Sequence, residues 1–418
     1  MAVGLKLRFY KVEGITMEKI KVNQARINKV REGFKDTFGA GRETVLFSAP
    51  GRTEISGNHT DHQHGRVLAG AINLDMLAAV AENGSDVIRF QSEGFRQCIV
   101  KLSDLEAKEN EYGTTTGLIR GVAAQFAARG CEIKGFDAYV ISDVLRGSGL
   151  SSSAAFEVLV GTIINEMYFG GKVTAIKIAQ IGQIAENKYF GKPCGLMDQM
   201  ASSVGNLVTI DFADNDHPIV EKIDFDFETC GYTLCIIDSG ADHADLTDEY
   251  AAITGELGKV CGLFGKRWLR EVPEAEFMNR ISEVRAVAGD RAALRALHVY
   301  DENRRVEKQC EVLKKNDFDT FLKLMCESGR SSFMYLQNVI PAGRKEHQEM
   351  AIALAMCERL LKGEGAYRVH GGGFAGTVQA FVPDAQVANF VEEMERVLGQ
   401  GSCHLLKIRP VGGVKIME

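Results

Sequence analysis

Glycine is abundant in this chain and proline is scarce: 44 glycines stand against 7 prolines in 418 residues. Average usage is about 7% glycine and about 5% proline. A glycine excess from linkers or collagen-like tracts brings proline, serine or a short repeat with it, and the sequence shows no obvious repeat or low-complexity tract. The extra glycines are therefore expected in ordered tight turns, where φ > 0 or a close backbone approach excludes a side chain. They concentrate in three separated segments. The first runs from Pro50-Gly51-Arg52 through Gly57-Asn58-His59-Thr60-Asp61-His62-Gln63-His64-Gly65. The second is Arg146-Gly147-Ser148-Gly149-Leu150-Ser151-Ser152-Ser153-Ala154-Ala155, and the third His370-Gly371-Gly372-Gly373-Phe374-Ala375-Gly376.

Length predicts roughly two to three domains, because single cores stop growing at about 250–300 residues. Apolar residues make up 45% and charged residues 25%, the balance of a folded protein. The net charge of −7 disfavours a broad nucleic-acid or anionic-membrane surface, although backbone amides could still bind an anionic ligand. The ten cysteines contain no C-x-x-C pair, and Cys230 and Cys235 are the closest two, which argues against a disulfide framework or a zinc site. The N-terminal stretch carries charges where a signal peptide needs an apolar core. Apolar runs such as Met350–Cys357 fall short of the roughly 18 residues of a membrane helix. A soluble, reduced, cytoplasmic protein is expected.

Periodicity predicts helices at 18–38, 116–129, 154–168, 174–188, 243–264, 274–283, 290–315, 317–330 and 342–362. Strands are expected at 44–47, where Pro50 and Gly51 should end the first, and at 73–82, 87–91, 136–144, 230–238, 367–369, 377–382 and 403–409. Asn83-Gly84 reads as a hairpin turn between two of these strands. Phe156, Leu159, Val160, Ile163, Ile164 and Met167 form a stripe that predicts a helix packed on one face. The polar turn at 213–218 is the expected domain boundary, dividing residues 1–215 from 216–418. Both halves mix helices and strands, so the class is α+β.

The second glycine segment lies between an expected strand and a helix start. Its backbone N–H groups and serine hydroxyls could cradle a phosphate, although a glycine turn with a serine N-cap explains the same residues. It is not a Walker A loop, since no Gly-Lys-Ser/Thr follows. The third segment reads equally as a hairpin turn. In the first, Arg52, Glu54, Asn58, His59, Asp61, His62 and His64 fall within thirteen residues. No zinc spacing is present there, and a polar pocket for a hydroxyl-rich ligand fits better. In Cys194-Gly195-Leu196-Met197-Asp198-Gln199 an acid sits between apolar residues; it could equally cap a helix. Glu186, twelve residues upstream of Asp198, lies on an expected helix whose face could simply be solvated.

Taken together, these segments resemble the GHMP small-molecule kinases and, within them, the galactokinases. The resemblance spans nearly the whole chain: SAPGR at 48–52, GNHTDHQHGRVLAGAI, GSGLSSSAA, the AEN to CGLMDQ stretch and GGGFAGT, with LREV, RALHVYDENRRV and FLKLMCESGRSS between them in order. It implies an N-terminal α/β domain of the ribosomal-protein-S5-like type, a ferredoxin-like α+β C-terminal domain and an active site in the cleft between them. It implies ATP and Mg²⁺, and phosphoryl transfer to a sugar's anomeric hydroxyl. Gly147, Ser148, Gly149, Leu150, Ser151, Ser152, Ser153 and Ala154 would wrap the ATP phosphates. Ser153, with Ser152 as the alternative, and Glu186 match the magnesium ligands. Asp198 and Arg52 match the catalytic pair beside the sugar's O1. Asn58, His59, Asp61, Gly195 and Tyr250 match positions that line the sugar pocket. The implied partners are a sugar and MgATP, with no nucleic acid and no membrane, for a monomer or weak homodimer.

The chain also departs from the pattern. Galactokinases usually read Gly-Arg-Val-Asn-Leu-Ile-Gly-Glu-His-Thr-Asp-Tyr. Here Glu54 takes the Asn position, Asn58 the Glu position and His62 the Tyr position. Leu145 stands for a proline and Ala375 for a glycine, and Asn338-Val339-Ile340-Pro341-Ala342 replaces a Ser-Cys-Pro-Glu segment. Two readings follow. The Glu54/Asn58 exchange could be a compensated swap with D-galactose as substrate. Alternatively, loss of an acid near the sugar's C6 could admit an anionic sugar, galacturonate foremost, which a carboxylate would repel. Plant galacturonate kinases have a non-acidic residue at this place. A third reading is a non-catalytic sugar-and-ATP sensor.

Overall fold

The computed structural model describes residues 15–16, 22–144, 149–241 and 246–417. In chain order its strands are β1 (Ile15–Thr16), β2 (Val45–Ser56), β3 (Arg66–Glu82), β4 (Val87–Ser92), β5 (Cys98–Lys101), β6 (Phe136–Ser142), β7 (Leu207–Asp211) and β8 (Ile219–Ile223). They continue as β9 (Tyr232–Asp238), β10 (Ala366–His370), β11 (Thr377–Pro383), β12 (Cys403–Leu406) and β13 (Val414–Met417). Nine strands form one sheet in the order β1-β13-β2-β3-β6-β4-β5, with β7 on the remaining edge of β3 and β8 beyond it. The other four form a second sheet, β10-β11-β9-β12. Strand β9, helices, β10, β11, helix Val387–Leu398 and β12 follow one another as the βαββαβ succession of the expected ferredoxin-like domain.

Several expected boundaries move for identifiable reasons. Strand β2 does not stop at Pro50 and Gly51 but runs on to Ser56. Its register with β3 shifts between the pairs Pro50–Asp75 and Arg52–Ala71, where Gly51 alone stands opposite three residues of β3, an irregularity at which a proline costs the ladder little. A Cβ on Gly51 would stand 2.8 Å from the Leu150 carbonyl oxygen, so only glycine lets the second glycine segment close on this strand. The Asn83-Gly84 hairpin is absent as such. Strand β6 lies between β3 and β4, antiparallel to the first and parallel to the second. Asn83 bonds instead to the incoming strand, through its side chain to Asp137 Oδ1 (2.8 Å) and its N–H to the Gly135 carbonyl (3.1 Å).

Helix Ser152–Tyr168 is buried on all sides from Ala154 to Asn165, rather than on one face, and this burial includes Glu157. Helix Ala175–Ala185 ends before Glu186, which opens a π-turn to Phe190. The helix expected at 342–362 begins only at Glu349. The expected division at 215/216 falls inside the β7–β8 hairpin of the first sheet, and β13 returns to that sheet from the far end of the chain.

Helices Thr115–Ala127, Ser152–Tyr168 and Ala175–Ala185 join the first sheet in one apolar core through Phe126, Ile163 and Ile181. A separate core between helices Thr247–Leu263 and Asp290–Lys314 takes in Phe374 and Ala375 of the third glycine segment. That segment is thereby anchored in this core. Among the described residues no helix is long and apolar enough to cross a membrane.

Candidate active site

Arg52 leaves β2 just after the register shift and reaches helix Met197–Val204, where its Nε donates to Asp198 Oδ1 at 2.8 Å. Its terminal nitrogen donates to the Gly149 carbonyl, and its backbone N–H donates to the Leu150 carbonyl at 3.1 Å. Ser151 has a left-handed backbone (φ 55°), unusual for a non-glycine residue, and its hydroxyl donates to Asp198 Oδ2. Ser202, on the same helix as Asp198, donates to the Pro50 carbonyl at 2.6 Å and ties that helix to β2. Partial burial works against the charged form of Asp198. The Arg52 charge and hydrogen bond, with the Ser151 hydroxyl, outweigh it and hold the carboxyl below its ordinary range. The side chain remains 34% exposed, so an ionised carboxylate faces the cleft.

The cleft opens into a cavity of about 290 Å³. One wall is the chain from Gly149 to Ser153; among the described residues its charged groups are Arg52, Asp198, Glu186 and Lys192. Gly147 and Ser148 lie outside the described residues. Ala154, in the first turn of its helix, is buried behind the cavity. Glu186 is held inside by Gln199, whose amide donates to Glu186 Oε2 at 2.8 Å and to Glu157 Oε2 at 3.0 Å. Burial, with Glu186 nearby, raises the pKa of Glu157 well above the ordinary glutamate value. The Glu186 carboxylate and Ser153 hydroxyl are hard oxygen donors on one cavity. This suits Mg²⁺, which takes one or two carboxylates and leaves its other positions to water and substrate phosphates.

A second polar group lies beside Asp198. Asp61 begins a short turn, Asp61–Gln63, and its carboxylate covers Gly195: a Cβ there would stand 2.6 Å from Asp61 Oδ2. Burial raises the Asp61 pKa, His59 opposes it and Asp198 adds to it, so the two acids share one electrostatic environment. His59 (φ 59°) bonds through Nε2 to the Gly372 carbonyl at 2.9 Å and through Nδ1 to His62 Nε2 at 3.1 Å. A carbonyl only accepts, so Nε2 carries the His59 proton and Nδ1 accepts from His62. Burial brings His62 down to about 3, which keeps it neutral for that role. Tyr250 donates its hydroxyl to the Gly373 carbonyl at 2.7 Å and meets Phe374 edge-on. Three glycine segments distant in sequence thus meet around one cleft.

Asn58 is the exception. It was expected to face the ligand but is fully buried, and its amide is engaged within the protein. Its Nδ2 donates to Glu54 Oε1 at 3.1 Å and to the Gly371 carbonyl at 2.5 Å, and its Oδ1 accepts from Asn338 at 2.7 Å. Glu54 is in turn paired with fully buried Arg368 at 2.9 Å. The two exchanged positions are direct partners, and the charge they share is neutralised by an arginine from β10. Arg368, Gln199, Glu157 and Lys192 were not picked out from sequence. Only Glu157 carried a local signal, as an acid set within the apolar stretch Ala154–Ile164 of its helix.

Two family profiles match the chain. The "Galactokinase galactose-binding signature" covers residues 32–82, and the "GHMP kinases N terminal domain" covers residues 117–206. The chain is 32% identical over 361 residues to a galactokinase of Glaesserella parasuis serovar 5, covering 85% of this chain and 89% of that one. It is 33% identical over 346 residues to a galactokinase of Thermotoga petrophila, covering 83% and 91%. In fold it resembles Lactococcus lactis galactokinase complexed with galactose, with a TM-score of 0.80 at 23% identity over 94% of this chain and 100% of that one. A mevalonate kinase superposes less closely, with a TM-score of 0.61 at 15% identity over 87% and 99%.

Proposed function

This chain belongs to the galactokinase family of the GHMP kinases, and from that membership we propose that it transfers the γ-phosphoryl group of ATP to the anomeric hydroxyl of D-galactose, giving galactose 1-phosphate and ADP. The observation that carries this reading is the meeting of Asp198, Arg52 and Ser151 between the phosphate-loop cavity and the Asp61–Gly195 pocket. Asp198 takes the proton of the sugar hydroxyl as the oxygen bonds to the γ-phosphorus. The bond from that phosphorus to the β,γ-bridging oxygen breaks, and ADP leaves with its electron pair. Arg52 keeps Asp198 ionised and offsets negative charge on the moving phosphoryl group. Gly149 to Ser153 bind phosphate oxygens through backbone and hydroxyl donors. Glu186 and Ser153 would hold Mg²⁺, which supplies positive charge to the triphosphate when bound. Asp61 accepts hydrogen bonds from sugar hydroxyls; His59, expected to bond the sugar, is engaged at both ring nitrogens within the protein and instead shapes the pocket wall, and Tyr250 closes the pocket. The enzyme is taken to act as a monomer or weak homodimer, and use of ATP suits a cytoplasmic location.

Burial of Asn58 supports the compensated-swap reading, since its amide is bonded to Glu54 and Asn338 rather than turned to the sugar. The direct test is ADP release with MgATP and a panel of galactose, galacturonate, N-acetylgalactosamine and arabinose. Turnover of galactose is expected. Turnover of galacturonate without galactose would overturn the substrate assignment, and no turnover with any sugar would overturn the kinase reading.

Gly195→Ala provides a local check. The added methyl has no room beside Asp61 Oδ2, so the carboxylate must shift away from the sugar. A misplaced binding group costs a factor on the order of 10–100, expected here in the galactose KM with the ATP KM little changed. Wild-type KM values for both substrates would remove Asp61 from the sugar site.

A further inference from the structure

We propose that Lys192 is a second phosphate-binding cation of the transfer site, parked on Glu186 before the nucleotide arrives; the inference rests on the kinase reading of the cavity. The π-turn that starts at Glu186 closes at Gly191 in a left-handed conformation (φ 78°). The Lys192 backbone N–H then donates to the Glu186 carbonyl at 3.2 Å, and the side chain doubles back along the turn. Its Nζ lies 3.5 Å from Glu186 Oε1, on the cavity wall shared with Arg52, Asp198 and Ser151.

The two ends of this pair differ. The Glu186 side chain is 4% exposed and held by Gln199, whereas the Lys192 side chain is 65% exposed. The acid is fixed and the lysine is free to move. A divalent cation on Glu186 would replace the lysine's attraction with repulsion between like charges. The other carboxylate of the cavity, Asp198, is already engaged on both oxygens by Arg52 and Ser151. The anions left for Lys192 are the phosphate oxygens. Its role also differs from that of Arg52, which is pinned between Asp198 and the Gly149 carbonyl. A lysine on a flexible stem can follow the γ-phosphoryl group as its bond to the bridging oxygen breaks and its bond to the sugar oxygen forms. Lys192 contributes charge only; the proton goes to Asp198.

The test compares Lys192→Met and Lys192→Arg with the wild-type chain. Calorimetric titration with the magnesium complex of a non-hydrolysable ATP analogue, without sugar, reads binding. Steady-state assays with galactose read turnover. Loss of one charge-assisted phosphate contact predicts affinity about 10-fold weaker and turnover about 10- to 100-fold lower in Lys192→Met. The galactose KM should stay unchanged, and Lys192→Arg should stay within about 3-fold of wild type on both measures, as a retained cation predicts. Wild-type affinity and turnover in Lys192→Met would overturn the proposal, as would equal losses in the methionine and arginine variants. Should the wild type fail to phosphorylate galactose, the substrate assignment falls, while the calorimetric comparison still decides the role of Lys192.

Discussion

Asp198→Asn is expected to lower turnover roughly 10²-fold or more, the range of a positioned general base, while leaving affinity for the magnesium complex of an ATP analogue within a few-fold. Asparagine keeps the shape: its Oδ1 can still accept from Arg52 Nε, and its Nδ2, in place of Oδ2, can donate to the Ser151 hydroxyl oxygen, so the two partners that orient Asp198 are retained. It cannot take the proton of a sugar hydroxyl. Arg52 also keeps its bond to the Gly149 carbonyl, so the phosphate loop should stay in place. Measured kcat with galactose and calorimetric nucleotide affinity separate these effects. A wild-type kcat would exclude Asp198 from the chemistry. The same substitution has a pH signature. Arg52 and Ser151 hold the folded-state pKa of Asp198 below the unfolded value of about 3.9. Its stabilising contribution is therefore present above that value and is lost as pH falls through the depressed one. The stability gap between wild type and Asp198→Asn should narrow in strong acid; a gap constant from neutrality to strong acid would contradict the pairing.

Asn58→Glu is expected to destabilise the fold by about 3–5 kcal/mol, the cost of an unpaired charge in a buried site. The new carboxylate would face Glu54 and could not donate to the Gly371 carbonyl, in a fully buried position. Glu54→Asn alone leaves Arg368 buried without its counter-charge and should cost a similar amount. The double exchange puts one acid and one amide back within reach of Arg368, and should recover at least half of the summed loss. Denaturant midpoints for the two single variants and the double variant form the required cycle. Simple additivity would show that these positions do not compensate one another, and the substrate question would return to Asn58.

Much of the site was legible before any coordinates. The small residues at 149–155 suited a phosphate loop or a capped turn alike, and only the family resemblance implied a catalytic role for the acid of the CGLMDQ stretch; the fold brings the two together through the Ser151–Asp198 bond. The glycines were expected to serve turns, yet Gly51 lies within a strand and serves a contact with Leu150. The Asn83-Gly84 pair looked like a hairpin because that dipeptide suits a tight turn. It is a turn whose flanking strands both pair with β6, whose sequence begins more than fifty residues later. Local preference selects a bend; which strands pair across it depends on distant chain.

The same division holds at the cleft. Sequence by itself determined where the backbone could approach closely, which helices could form and which residue types stood ready for phosphate and sugar, because sterics, capping and periodicity act within a few residues. It also carried the motif order that marks the family. Only the tertiary structure decided that Asn58 turns away from the ligand, that Arg368 from another sheet neutralises Glu54, that Gln199 joins Glu157 to Glu186, and that Lys192 reaches the transfer site. Charge pairing and desolvation depend on distance through space and on exclusion of water, and those quantities exist only once segments far apart along the chain have met.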